Sequence, residues 1–146
     1  MTLRLVPSIH RATHRIGLYI SQLRAHDLSQ GEAHILAHLA TSSPATIADL
    51  HAELAHKRST LTSILDRLVA RGLITRVVGT EDRRTFVITT TATGRKLATK
   101  IHDHLISLED AVGEDVTRED IRGFLKVLNA IEQTAHEAVI GRRSNT

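Results

Sequence analysis

One interval in an otherwise helical sequence constrains the fold more than any other feature. Ile74-Thr75-Arg76-Val77-Val78 and Phe86-Val87-Ile88-Thr89-Thr90 are rich in β-branched residues, with the charged stretch Gly79-Thr80-Glu81-Asp82-Arg83-Arg84 between them. Such runs favour extended backbone, and a Gly-initiated polar link between two of them predicts a β-hairpin. Nearly everywhere else the apolar residues recur at three- and four-residue spacing, the period of an amphipathic helix.

The helices can be placed from that spacing and from their end signals. From Ile9, a first helix carries Ala12, Ile16, Tyr19, Ile20 and Leu23 and ends near Ala25. A second begins at Ser29-Gln30-Gly31-Glu32, a capping-box pattern in which Ser29 accepts an amide hydrogen bond and Glu32 returns one. Ile35, Leu36 and Leu39 form its apolar face, and Thr41-Ser42-Ser43-Pro44 breaks it. Ser43-Pro44 reads as N-cap and first position of a short third helix, Ala45 to Leu54. A fourth spans 58–71 with Leu61, Ile64, Leu65 and Leu68 inward; Gly72 serves as C-cap, and Arg67 and Arg71 in the last turn suit the helix dipole. After the hairpin, a long helix starts near Thr91 or Thr93 and carries Leu97, Ile101, Leu105, Leu108 and Val112 until Gly113 to Val116 interrupt it. Thr117 caps a last helix with the stripe Ile121, Phe124, Leu125, Leu128, Ile131, Ala135 and Val139.

Three short helices followed at once by a hairpin predict a winged helix-turn-helix. The fold class is mainly α with a small β-hairpin wing. The expected layout is an N-terminal dimerisation helix in 1–27, a DNA-binding lobe in 28–96, and a long helix plus C-terminal dimerisation helix in 97–146, integrated as one domain. A length of 146 residues suits this. Aromatics are 2% of the chain, so the core must be aliphatic, and stacking platforms for single-stranded nucleic acid are lacking. With no cysteine, disulfides, thiol redox sensing and thiolate chemistry are excluded. No apolar run approaches the ~18 residues of a membrane span, and residues 1–24 contain no apolar signal core; no membrane partner and a cytoplasmic location are expected.

Charge is segregated. Residues 57–96 hold nine Lys/Arg against three Asp/Glu, while residues 101–140 hold three against nine. A basic block with the predicted motif suggests a nucleic-acid face. With the leucines inward, Ser59, Thr62, Ser63 and Asp66 face outward on the fourth helix, short enough to approach base edges. Lys57 and Arg58 stand at its start, where cations and helix amides meet phosphates. At the hairpin tip, an arginine can enter the narrow minor groove, with Asp82 as the candidate holder and Arg84 as the candidate reader.

These stretches together resemble the MarR family: Arg58-Ser59-Thr60-Leu61-Thr62, Leu65-Asp66-Arg67-Leu68, Arg71-Gly72-Leu73-Ile74, Glu81-Asp82-Arg83-Arg84, and Thr91-Ala92-Thr93-Gly94-Arg95. The resemblance implies a homodimeric repressor that binds near-palindromic double-stranded DNA and releases it when a small-molecule effector binds. The DNA-binding set is then Lys57, Arg58, Ser59, Thr60, Thr62, Ser63, Asp82, Arg83 and Arg84. The dimerisation set is Ile9, Ile16, Ile121, Phe124, Leu128 and Ile131, whose stripes need a partner surface. The chain departs from the family pattern at Gly79, where an acidic residue often opens the wing motif, at Lys57, where a small cap is common, and at Ser63, often Arg.

Ten histidines are a high count. His34 and His38, one turn apart, and His104 lie near the pocket that the resemblance implies, with Tyr19 as its aromatic member. They suggest zinc response as an alternative, although no compact metal motif is present. A winged-helix module that binds protein through its acidic C-terminal helices is the other alternative. No phosphate loop or nucleophile elbow occurs, so no enzyme activity and no cofactor are expected.

Overall fold

The computed structural model describes residues 1–23 and 27–143, the last two by backbone alone. In chain order the elements are α1 (Val6–Ser21), α2 (Gln30–Ser42), β1 (Ala45–Thr46), α3 (Ile47–Leu54), α4 (Arg58–Ala70), β2 (Ile74–Val78), β3 (Phe86–Thr90), α5 (Ala92–Gly113) and α6 (Arg118–Arg143). The chain forms two compact units, residues 1–106 and 107–146.

In the first unit, the predicted aliphatic core is present. Ile35, Leu36 and Leu39 of α2, Leu50 of α3, Leu61, Leu65 and Leu68 of α4, Ile74, Ile88 and Ile101 are its largest fully buried side chains. Each such burial stabilises by about 1.5–3 kcal/mol, so this cluster holds the lobe together. The hairpin of β2 and β3 is antiparallel and runs from Ile74 opposite Thr90 to Val78 opposite Phe86, the strands read from the sequence.

Three local expectations are corrected. Helix α1 starts at Val6, earlier than Ile9, because Pro7 in the first turn has its φ pre-set for helix and needs no amide partner there. It closes at Ser21; the expected end near Ala25 falls outside the described residues. Helix α3 starts at Ile47, not Ala45. Ala45 and Thr46 form β1, pairing antiparallel with Ile88 and Val87 to give the sheet order β1-β3-β2. The N-cap is therefore Thr46, which accepts from Asp49 N while Asp49 Oδ2 accepts from Thr46 N. Ser43 instead accepts the Thr90 amide through its hydroxyl.

The third correction is at Glu32. Ser29 caps α2 by accepting the Glu32 amide, but the Glu32 carboxylate does not return the bond. It is buried and takes two guanidinium donors from α4. Charge-assisted bonds of that kind are about twice as strong as a neutral amide bond, so the arginines win the carboxylate.

The junction into α5 behaves as its Thr-x-x-Gly sequence implies. Thr91 Oγ1 accepts from Gly94 N and donates to Gly72 O, and the Thr91 amide donates to Leu73 O. Gly94 packs directly on the Leu73 carbonyl, where any added Cβ would lie 1.7 Å from the oxygen. Gly72, at φ +68°, makes the left-handed turn after α4.

In the second unit, Thr117 and Asp120 cap α6 reciprocally. Hydrogen bonds from the Thr117 side chain and amide hold the Asp120 carboxyl below the usual carboxylate range. The α6 stripe is open: Ile121, Phe124, Leu125 and Val139 are 42–57% exposed.

Candidate nucleic-acid interface

Burial of Leu61, Ile64, Leu65 and Leu68 fixes the rotation of α4, and the exposed face that results carries Ser59, Thr62, Ser63 and Asp66, as predicted. Arg58, Ser59, Thr62, Ser63, Asp66 and Arg67 border one shallow depression along it. Lys57, Arg58, Ser59 and Thr60 are all exposed at the helix start. Among the described residues no side chain caps this end, so its first amides stay open beside two exposed cations.

Hydroxyl orientation on this face is set by internal bonds. Thr62 Oγ1 donates to Arg58 O at 3.0 Å, and Ser63 Oγ accepts from Arg67 Nη1 at 2.9 Å. Arg67 Nε in turn donates to Glu32 Oε1 at 2.7 Å, and Arg71 Nη1 donates to Glu32 Oε2 at 3.0 Å. A carboxylate of α2 with a side chain only 5% exposed thus holds two arginines one turn apart on α4. The sequence carried the signal, an acidic residue beside Ala33, Ile35 and Leu36 and two arginines at i, i+4, but the capping-box reading absorbed it.

The wing tip is a closed turn. Gly79 N donates to Thr85 O, while the Thr85 amide and hydroxyl both donate to Asp82 O. Asp82 Oδ1 accepts from the Arg84 backbone amide at 2.9 Å. Asp82 is thus the holder expected from the sequence, but it holds Arg84 by the backbone amide and not by the guanidinium. A carboxylate two residues before an amide closes an Asx turn with no side-chain ordering cost on the arginine. Gly79 is buried, and a Cβ there would meet Thr85 Oγ1 at 2.7 Å, which accounts for glycine at this position. Arg83 and Arg84 are exposed and make no ion pair among the described residues.

Arg76 joins wing and helix. Its guanidinium lies 4.5 Å from the Phe86 ring centroid and reaches Asp66 Oδ1 at 3.4 Å, while its Nε is buried without a partner. This role was not legible in the sequence, because it depends on β2 crossing α4.

Of the pocket candidates, Tyr19 and His104 come together. Their rings stack at 3.9 Å, Tyr19 Oη donates to His104 O, and His104 Nε2 donates to Tyr19 O, both at 3.0 Å. Burial holds the His34 imidazole below its usual range, with nearby His56 adding to the effect. His38 borders a depression with Asp49 and Glu53. Among the described residues, no three His, Asp or Glu side chains are placed to hold a metal ion, and no helix is long and apolar enough to cross a membrane.

A helix-turn-helix with an attached hairpin and a polar outward helix face defines a winged-helix protein. Residues 28–86 match the model of the MarR family, so the resemblance expected from the sequence holds over this lobe. The chain is 32% identical over 88 residues to YwhA of Bacillus subtilis (strain 168), described as an uncharacterized HTH-type transcriptional regulator; the match spans 60% of this chain and 63% of that protein. In fold it is similar to S. aureus MepR in its DNA-binding conformation, with a TM-score of 0.79 at 20% identity, covering 91% of this chain and 99% of MepR. MepR in complex with DNA gives 0.75 over the same shares at the same identity. Bordetella bronchiseptica BpsR, whose DNA binding is regulated by 6-hydroxynicotinic acid, gives 0.69 at 18% identity, covering 88% and 93%.

Proposed function

We propose that this chain is a sequence-specific double-stranded DNA-binding transcription regulator acting as a homodimer, a repressor whose grip on DNA a small-molecule effector releases. The observation that carries the reading is the joined surface of α4 and the wing. An exposed polar helix face with an uncapped basic start is tied through Arg76 to a prefolded hairpin bearing two exposed arginines that make no ion pair among the described residues. The helix face suits the major groove, and the hairpin suits phosphates or the minor groove. The matches to transcription regulators and to a DNA-bound fold relative support the same reading.

In this reading Lys57, Arg58, Ser59, Thr60, Thr62 and Ser63 meet the duplex through α4, and Arg83 and Arg84 through the wing, which Asp82 shapes. The exposed stripe of α6, with its half-buried Leu128 and Ile131, supplies the dimer surface; of the α1 candidates Ile9 is half-buried, whereas Ile16 packs against the core of its own lobe. Exposed apolar residues repeated along one helix, here Ile121, Phe124, Leu125, Val139 and Ile140, mark an interaction surface. For the effector, the first unit offers a cleft of about 270 Å3 bordered by Gly17, Ile20, Leu28, Gln30 and Ile101; none of Tyr19, His34, His38 and His104 borders it.

The test is an anisotropy titration against the duplex upstream of the protein's own coding region, with random duplex as competitor at two salt concentrations. The expected result is preferential binding whose logarithm falls with log salt by about 0.9 per phosphate contacted. Equal, weak binding to both duplexes would move the reading to a protein-interaction module.

A further inference from the structure

The face of α4 that we assign to DNA contains an internal device that sets the hydrogen-bond polarity of Ser63. A serine hydroxyl has one proton and two acceptor lone pairs, and ordinarily rotates to suit its partner. Here Ser63 Oγ accepts from Arg67 Nη1 at 2.9 Å. A guanidinium has no acceptor, so the serine proton cannot turn towards it. Among the described residues the Ser63 hydroxyl donates to none, and the residue is exposed. The neighbouring Thr62 has the opposite arrangement, its proton spent on Arg58 O and its lone pairs left outward.

Arg67 does not hold this geometry alone. Its side chain is 50% exposed and would sample many rotamers, but Nε is fixed at 2.7 Å by Glu32 Oε1, on a different helix and 5% exposed. Arg71 fills the other carboxylate oxygen at 3.0 Å, so the buried charge is neutralised from both sides. The relay runs from a buried carboxylate of α2, through a bridging guanidinium, to a hydroxyl on the outward face of α4.

Resting on the DNA-binding reading above, we propose that Glu32 and Arg67 are positioning residues that occupy one Ser63 lone pair and turn its proton outward, so that α4 favours an acceptor at the base edge facing Ser63. Acceptors in the major groove are purine N7, guanine O6 and thymine O4, whereas the cytosine and adenine amino groups are donors. A relay that turns the proton outward disfavours cytosine at that position, and it separates Ser63 from Thr62, whose proton is already spent on Arg58 O.

The experiment compares wild type, Ser63→Ala, Arg67→Lys and Glu32→Gln on duplexes enriched from a random library by the wild-type protein, with every base pair varied in turn. Lysine keeps the charge beside Glu32 but cannot bridge carboxylate and hydroxyl together. The expected result is that Ser63→Ala and Arg67→Lys lose discrimination, by about five-fold or more, at the same single base pair. The double variant should lose no more than either alone, while preferences elsewhere and the salt slope stay as in wild type. Glu32→Gln should repeat the pattern; should it fail to fold, Arg67→Lys carries the test. A merely structural role would weaken binding to all duplexes equally and leave the base profile unchanged, and that result overturns the proposal. Full discrimination in Arg67→Lys with loss in Ser63→Ala would also overturn it, leaving the DNA-binding reading intact. A wild type that enriches no sequence would overturn both.

Discussion

At the scale of single residues, two glycines that look alike in sequence do different physical work. Gly94 has its α-carbon against the Leu73 carbonyl, and a methyl group there would overlap backbone that cannot swing away. Gly72 has open space around it and is required only for its positive φ. Gly94→Ala should therefore cost about 3 kcal/mol or more by forcing α5 off the turn, whereas Gly72→Ala should cost about 1 kcal/mol of left-handed strain. Urea unfolding of the two variants checks this: equal losses would mean that the close approach at Gly94 relaxes freely. His34 gives a second expectation at this scale. Its imidazole is held below the usual value by burial first and His56 second, so the folded state prefers it neutral. That contribution to stability is fully present above the ordinary imidazole pKa of ~6.5 and is lost as pH falls through the lower folded value. His34→Gln should flatten the stability-versus-pH curve below pH ~6.5, measured as the urea midpoint in buffers stepped downward from neutrality; an unchanged slope would remove His34 from the acid response.

At the scale of elements, what was legible depended on whether the deciding interaction was local. The inward face of α4, the five-residue strands β2 and β3, the Thr117 cap and the Thr91 entry into α5 follow from contacts within a few residues, and pattern alone places them. Strand β1 does not. Ala45 and Thr46 are only two residues long, and what makes them a strand is Ile88 and Val87, more than forty positions away. The Glu32 error is of the same kind, since Arg67 and Arg71 lie 35 and 39 residues further on and outcompete a local amide. Within the site, the outward residues of α4 were legible because the leucine positions fix the helix rotation, but the Arg76 link and the Asp82 turn needed coordinates. The wing supplies the expectation at this scale. Arg84→Ala leaves the Asp82 turn intact, because the turn uses only the Arg84 backbone. It should weaken duplex binding several-fold while circular dichroism and oligomeric state stay unchanged. Undiminished affinity would take Arg84 out of the contact.

At the scale of the whole molecule, the open stripe of α6 and the segregated charge set the behaviour in solution. Phe124 is 57% exposed, so Phe124→Asp removes little packing within a single chain, yet would place a carboxylate in the proposed dimer surface. Sedimentation should find this variant shifted towards monomer, with duplex affinity falling as the second lobe is lost. A fully dimeric Phe124→Asp protein would put the dimer surface elsewhere. The hairpin tip carries a further consequence. Its backbone is already tied by Gly79, Asp82 and Thr85 before any partner arrives. Docking the wing then orders little more than two arginine side chains, each with about 2 kcal/mol of rotamer entropy. Encounter should accordingly be governed by long-range attraction and orientation, with no slow loop-folding phase in the association trace. On the proposed reading, the wing would meet DNA as a rigid prong.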